Sequence, residues 1–135
     1  MLIHFGPVHL IFNLMWLFQF GSMIEGLQGR GRFLALVVVV AVLSNLAQYA
    51  MKSPFFGGMS GVNYGLFGYV WLRGRTDPAS GLFIDRQNTI LMLIWLVVCM
   101  TGYLGPVAHW AHGVGFVVGA AWGWASGKLA QRNPR

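Results

Sequence analysis

The chain has 135 residues, of which 56% are apolar or aromatic and only 9% charged, and its mean hydropathy is +0.62. Soluble domains carry about 25% charged residues, so this composition excludes an ordinary cytosolic enzyme, a disordered tail and a DNA-binding module. The net charge of +6 does not reverse that. The basic residues stand singly or in pairs between long apolar runs rather than along one stripe, so no nucleic-acid partner is expected. Cys99, the single cysteine, lies inside an apolar run and cannot form an intrachain disulfide. The expected class is one polytopic membrane domain over residues 1–135.

Five segments are apolar enough to lie in lipid: residues 8–25, 33–51, 60–72, 89–104 and 107–127. The second holds the run LALVVVVAVL and readily supplies the roughly 20 residues that a spanning helix needs. The first and fifth nearly do, and the third is short. Trp71-Leu72-Arg73 marks an interface by its aromatic and basic pair. The expectation is an all-α fold with five transmembrane helices. If all five cross, Arg30, Arg32, Arg73, Arg75, Arg86, Lys128, Arg132 and Arg135 share one side, and Lys52 is the only basic residue on the other. Basic loops stay in the cytoplasm, so the C-terminus is expected there and the chain opens outside. The start has no basic n-region of a signal peptide, so at least one upstream helix is expected to precede it.

Small residues predict close helix packing. Gly115, Gly119, Gly123 and Gly127 recur every four residues, and Gly61 and Gly65, with Gly68 nearby, form a second ladder. Side chains at the ends of these two segments can therefore meet. Ionisable groups inside a membrane mark function by default, and His4, His9, His109 and His112 all map to the outer side. At about 1.5 Å per residue, Ser60 stands roughly 20 Å above Arg73. On the same rise His112 stands roughly 24 Å above Lys128, and His9 roughly 24 Å above Glu25. All three come to one layer, about 5–10 Å beneath the outer face of a core about 30 Å thick. Asn13 lies one turn from His9 on the same face.

A serine, a histidine and a His/Asn pair at one depth are the parts of a serine hydrolase. The serine needs a base, usually a neutral imidazole, and the tetrahedral intermediate needs donors at its oxyanion. Ser60 opens a helix, where free N–H groups point outward, and Gly58 and Gly61 flank it. Glu25, Asp77 and Asp85 map to the opposite side, so a Ser-His-Asp triad cannot be assembled and a dyad is expected. Tyr64, four residues after Ser60, can orient the imidazole by packing.

These residues resemble the rhomboid family of intramembrane serine proteases, its bacterial GlpG type most closely. The resemblance rests on His9-Leu10-Ile11-Phe12-Asn13, on Gly58-Met59-Ser60-Gly61 and on Ala111-His112-Gly113-Val114-Gly115. The stretch GYVWLRG at residues 68–74, with Asp77-Pro78 after it, adds to it. It implies that the five segments correspond to helices two to six of a six-helix fold, the first helix and the loop after it lying outside the chain. It further implies Ser60 as nucleophile, His112 as base, and His9 and Asn13 with the Ser60 N–H as oxyanion hole. Tyr64 would stack on His112, Gly58 would support the nucleophile's turn, and Trp95 facing Phe12 would form a lateral substrate gate. Glu25 resembles a structural acid. The implied partners are transmembrane protein substrates and the lipid bilayer, the implied location is the bacterial inner membrane with the site open to the periplasm, and no cofactor or metal is implied. Asn63 and His109 stand where the family pattern has other residues.

Two alternatives belong to other classes. Four outer-side histidines, with His109 and His112 at i, i+3, are permissive spacing for a metal or haem, although no Cys or carboxylate accompanies them. A non-catalytic rhomboid-like protein could bind membrane clients, but such relatives usually lose the serine or the histidine, and both are kept here.

Overall fold

The computed structural model describes residues 7–51, 59–101 and 108–132, and the described chain is all-helical. The helices are α1 (Pro7–Gln28), α2 (Arg30–Met51), α3 (Ser60–Thr76), α4 (Arg86–Met100) and α5 (His109–Arg132), with one short 3-10 turn at Pro78–Ser80. Each falls on one of the five apolar segments. Two of them, α1 and α2, are long and apolar enough to cross a membrane by length and composition, and α4 is a shorter apolar helix.

The ends differ from the sequence expectation for local reasons. Pro7 opens α1, where its missing N–H is no loss. Gly29 closes α1 at φ +86°, its N–H donating to the Glu25 carbonyl at 2.9 Å. That left-handed residue lets α2 begin at once, so Arg30 and Arg32 lie on its first turn rather than in a loop. The Arg32 guanidinium lies over the ring of Trp122, 6.0 Å from its centroid. Asp85 caps α4, accepting from the Asn88 backbone N–H at 2.9 Å and from the Asn88 amide at 2.6 Å. This cap starts α4 three residues before the apolar run. Glu25, expected as a structural acid, pairs only loosely with Arg30 at 3.9 Å on the exposed surface, a geometry that contributes little.

The core is built around α3. Every residue from 61 to 70 is buried, and Phe67 lies among Phe20 of α1, Trp71 of α3 and Phe116 of α5. The other helices each turn a narrow stripe inward: Asn13, Phe20 and Ile24 on α1, and Leu36, Val40, Ser44 and Gln48 on α2. Their outer faces carry large apolar side chains, such as Phe18, Val38 and Val117, the reverse of a water-soluble bundle. Packing is closest between α3 and α5. α4 rests mainly on α5, touches α3 lightly, and shares no extensive contact with α1.

The two glycine ladders interlock as expected. A Cβ on Gly119 would collide with the Gly65 carbonyl, and one on Gly115 with the Gly61 carbonyl. On the facing helix, a Cβ on Gly68 would stand 2.6 Å from the Phe116 carbonyl. No side chain fits between these backbones, so their separation is set by hydrogen alone at the alpha carbons.

Two outcomes follow for stability in detergent. Gly119→Ala is expected to lose about 1–3 kcal/mol by overpacking, read as a lower midpoint of thermal or denaturant unfolding. Gly26→Ala, where the space is open, is expected to be neutral or to gain up to about 1 kcal/mol of helix propensity. The Asn88 backbone N–H and then its side-chain amide hold the Asp85 carboxyl below its ordinary pKa. A depressed carboxylate adds stability above its unfolded pKa, near about 3.9, which is lost as pH falls through the folded value. Stability measured against pH should therefore drop on acidification below about pH 4 in the parent, and the drop should be smaller in Asp85→Asn.

Candidate active site

Ser60 is the first residue of α3, but it is not the helix cap. Met59 occupies that position, with no side-chain capping bond. The Ser60 hydroxyl turns instead to α5, where its Oγ stands 2.6 Å from His112 Nε2. His112 is 4% exposed and lies on the same α5 stripe as Gly115, Gly119, Gly123 and Gly127. The ladder that brings the two backbones together thus carries the imidazole at its N-terminal end. Gly61, next to Ser60, extends the close approach: a Cβ there would stand 3.0 Å from the Ala111 carbonyl.

The Tyr64 ring packs on the imidazole with centroids 5.0 Å apart. The planes are inclined by 47°, so the two rings pack in a tilted contact. Four residues along a helix return to the same face, which is why Tyr64 sits directly beneath Ser60. No carboxylate approaches His112. Asp77 pairs with Arg73 at 2.7 Å, Asp85 caps α4, and Glu25 lies by Arg30. His112 Nδ1 is buried with no hydrogen-bond partner among the described residues. Its ring is therefore held by packing and by Ser60, as the absence of an acid from that side of the sequence requires.

On α1, Asn13 is buried, and its Nδ2 donates to the His9 carbonyl at 2.8 Å. The Asn63 amide of α3 donates to the Asn13 backbone carbonyl at 2.9 Å and to Asn13 Oδ1 at 3.0 Å. The His9/Asn13 turn is thereby tied to the helix that carries Ser60. Phe12 and Trp95 are 56% and 48% exposed, on α1 and α4. They make no ring contact with each other among the described residues. They stand on two helices that share no extensive contact. Gly58 and His4 lie outside the described residues.

His109 diverges from His112 despite the i, i+3 spacing. Its Nδ1 contacts the Cys99 carbonyl at the end of α4, while His112 turns to Ser60. Among the described residues no three His, Cys, Asp or Glu side chains converge as a ligand set.

Two residues were not anticipated. Gln48 Oε1 accepts from the backbone N–H of Trp110 at 3.1 Å and of Ala111 at 3.2 Å. It satisfies two of the open donors at the start of α5, immediately before His112. Its signal was present in the sequence: Ser44 and Gln48 are polar residues four apart at the outer end of an apolar helix, hence one polar face. Asn63 had only its unusual residue type to mark it.

The family model described as Rhomboid domain matches residues 1–129. Curated relatives agree. Rhomboid protease GlpG of Salmonella paratyphi A is 41% identical over 119 residues, which cover 87% of this chain and 43% of that protein. The protein of the same name from Salmonella choleraesuis is 42% identical over the same length and shares, and that of Salmonella newport is 41% identical. The chain therefore spans less than half the length of these relatives. A serine and an imidazole in hydrogen-bond contact, carried by glycine-laddered helices, are thus found in a chain that belongs to the rhomboid family.

Proposed function

We propose that the chain is the catalytic part of an intramembrane serine endopeptidase that hydrolyses a peptide bond in or beside a transmembrane segment of another protein. The observation that carries this reading is the buried 2.6 Å contact between Ser60 Oγ and His112 Nε2. With the ring neutral and its proton on Nδ1, Nε2 accepts the Ser60 hydroxyl hydrogen. Oγ attacks the scissile carbonyl carbon as its proton passes to Nε2. The oxygen of the tetrahedral intermediate takes the negative charge, and Asn13, His9 and the Ser60 N–H at the start of α3 are its donors. Imidazolium then gives its proton to the departing amine, the C–N bond breaks, and an acyl-enzyme ester remains on Ser60. Water, deprotonated by His112, attacks that ester and releases the new carboxyl terminus.

The substrate class follows from the exterior. The apolar outward faces support a chain that lies in a bilayer, and our reading carries all five helices across it. The basic residues set the C-terminus in the cytoplasm, and a bacterial inner membrane then places the site near the periplasmic face. A substrate helix enters sideways between α1 and α4, past Phe12 and Trp95, and unwinds beside Ser60. Gly58, two residues before Ser60 in the sequence, is assigned the support of the nucleophile's turn by the family pattern.

The deciding experiment combines a fluorophosphonate probe with cleavage of a test transmembrane substrate. Labelling is expected at Ser60, insensitive to chelators. Ser60→Ala should abolish labelling, and Ser60→Ala and His112→Ala should each lower cleavage by at least about 10³-fold. Labelling that survives Ser60→Ala would overturn the reading. A folded chain that binds transmembrane peptides but neither labels nor cleaves would instead be a client-binding relative.

A further inference from the structure

Asn63 is a polar residue in the buried centre of the bundle, 3% exposed, between Val62 and Leu66, which are buried as completely. It follows Ser60 by three residues and so lies one turn deeper on the adjoining face of α3. Its contacts fix the orientation of two carboxamides without ambiguity. Backbone carbonyls only accept, so the atom of Asn63 that meets the Asn13 carbonyl must be Nδ2, and the atom of Asn13 that meets the His9 carbonyl must also be Nδ2. Asn13 Oδ1 is then turned to Asn63 Nδ2 at 3.0 Å, which is the complementary pairing. Reversing Asn13 would set donor against donor at Asn63, and reversing Asn63 would set acceptor against acceptor at Asn13.

The Asn13 amide is thus locked at both edges. Its oxygen is held by Asn63, one of its two Nδ2 hydrogens is held by His9, and the second hydrogen has no acceptor among the described residues. We infer that Asn63 is a positioning residue for oxyanion stabilisation: it holds Asn13 so that this second N–H is presented to the carbonyl oxygen of the scissile bond. The inference rests on the protease reading above. It gives the nucleophile's helix a direct grip on the helix that carries the oxyanion donors, one turn below Ser60, so the donor is oriented before substrate arrives. Such preorganisation is what makes an oxyanion donor effective.

Packing alone does not account for the residue. Asn63 Oδ1 is buried with no donor among the described residues. A valine of similar volume would fill the same space with no desolvated acceptor.

The test is a double-mutant cycle on the full chain, reading kcat and KM on a transmembrane substrate together with the melting temperature. Asn63→Val is expected to lower kcat roughly tenfold with KM within about twofold, the signature of an interaction made in the transition state. In the Asn13→Ala background the same change should alter kcat by less than about twofold, because no amide remains to be positioned. The double variant removes both buried partners and is the form most able to fold, so the comparison stands even where Asn63→Val alone does not fold. If Asn63→Val leaves kcat unchanged, or if the double variant falls about tenfold below Asn13→Ala, Asn63 does not act through Asn13 and the inference is overturned. A parent chain that neither labels at Ser60 nor cleaves overturns the protease reading and this one together, whereas a labelled and active parent confines any failure to Asn63.

Discussion

The contact between the α3 and α5 backbones is the constraint on which the rest of the structure depends. At Gly68, Gly115, Gly119 and Gly123 the backbone of the neighbouring helix occupies the space where a side chain would begin. In a bilayer no hydrophobic force separates protein from lipid, so helices associate through close van der Waals contact and polar bonds. The ladder supplies the first over almost the whole length of α3. It also sets the geometry of the chemistry, since Ser60 and His112 sit at the outer ends of the two laddered faces. A hydroxyl and an imidazole on separate helices reach 2.6 Å only because the helices beneath them cannot drift apart.

Polar bonds complete what the glycines begin. Gln48 of α2 ties down the first turn of α5 through two backbone N–H groups, and Asn63 of α3 ties down the His9/Asn13 turn of α1. Both lie in the outer part of the bundle, near Ser60. Tyr69, deeper on α3, donates to Gln28 at the far end of α1. Four helices, α1, α2, α3 and α5, are therefore joined by polar bonds, and α4 rests mainly on α5. Having fewer contacts than its neighbours, α4 is the helix that loses least by moving.

The imidazole has no acid behind it. A carboxylate buried at this depth would be costly to desolvate, and the chain places all three of its acids at helix ends elsewhere. Orientation of the ring falls to the tilted Tyr64 contact and to Ser60 itself. Tyr64 reaches His112 from one turn after Ser60 on the same face of α3, and the two rings meet at 47°.

Much of this was legible in the sequence by itself. Apolar length located the five helices, the four-residue glycine spacing identified the two that meet, and simple rise per residue placed Ser60 and His112 at one depth. These features are local or periodic, so one chain segment carries each of them whole. Only the tertiary structure decided the rest. Asn63 and Gln48 look like stray polar residues until the rotation of one helix against another brings a carbonyl or an N–H opposite them. The divergence of His109 from His112, and the exposure of Glu25, likewise depend on which neighbour each helix face meets. The partners in those contacts lie as much as 50 or 63 residues apart, and helix periodicity carries no record of a partner at that distance.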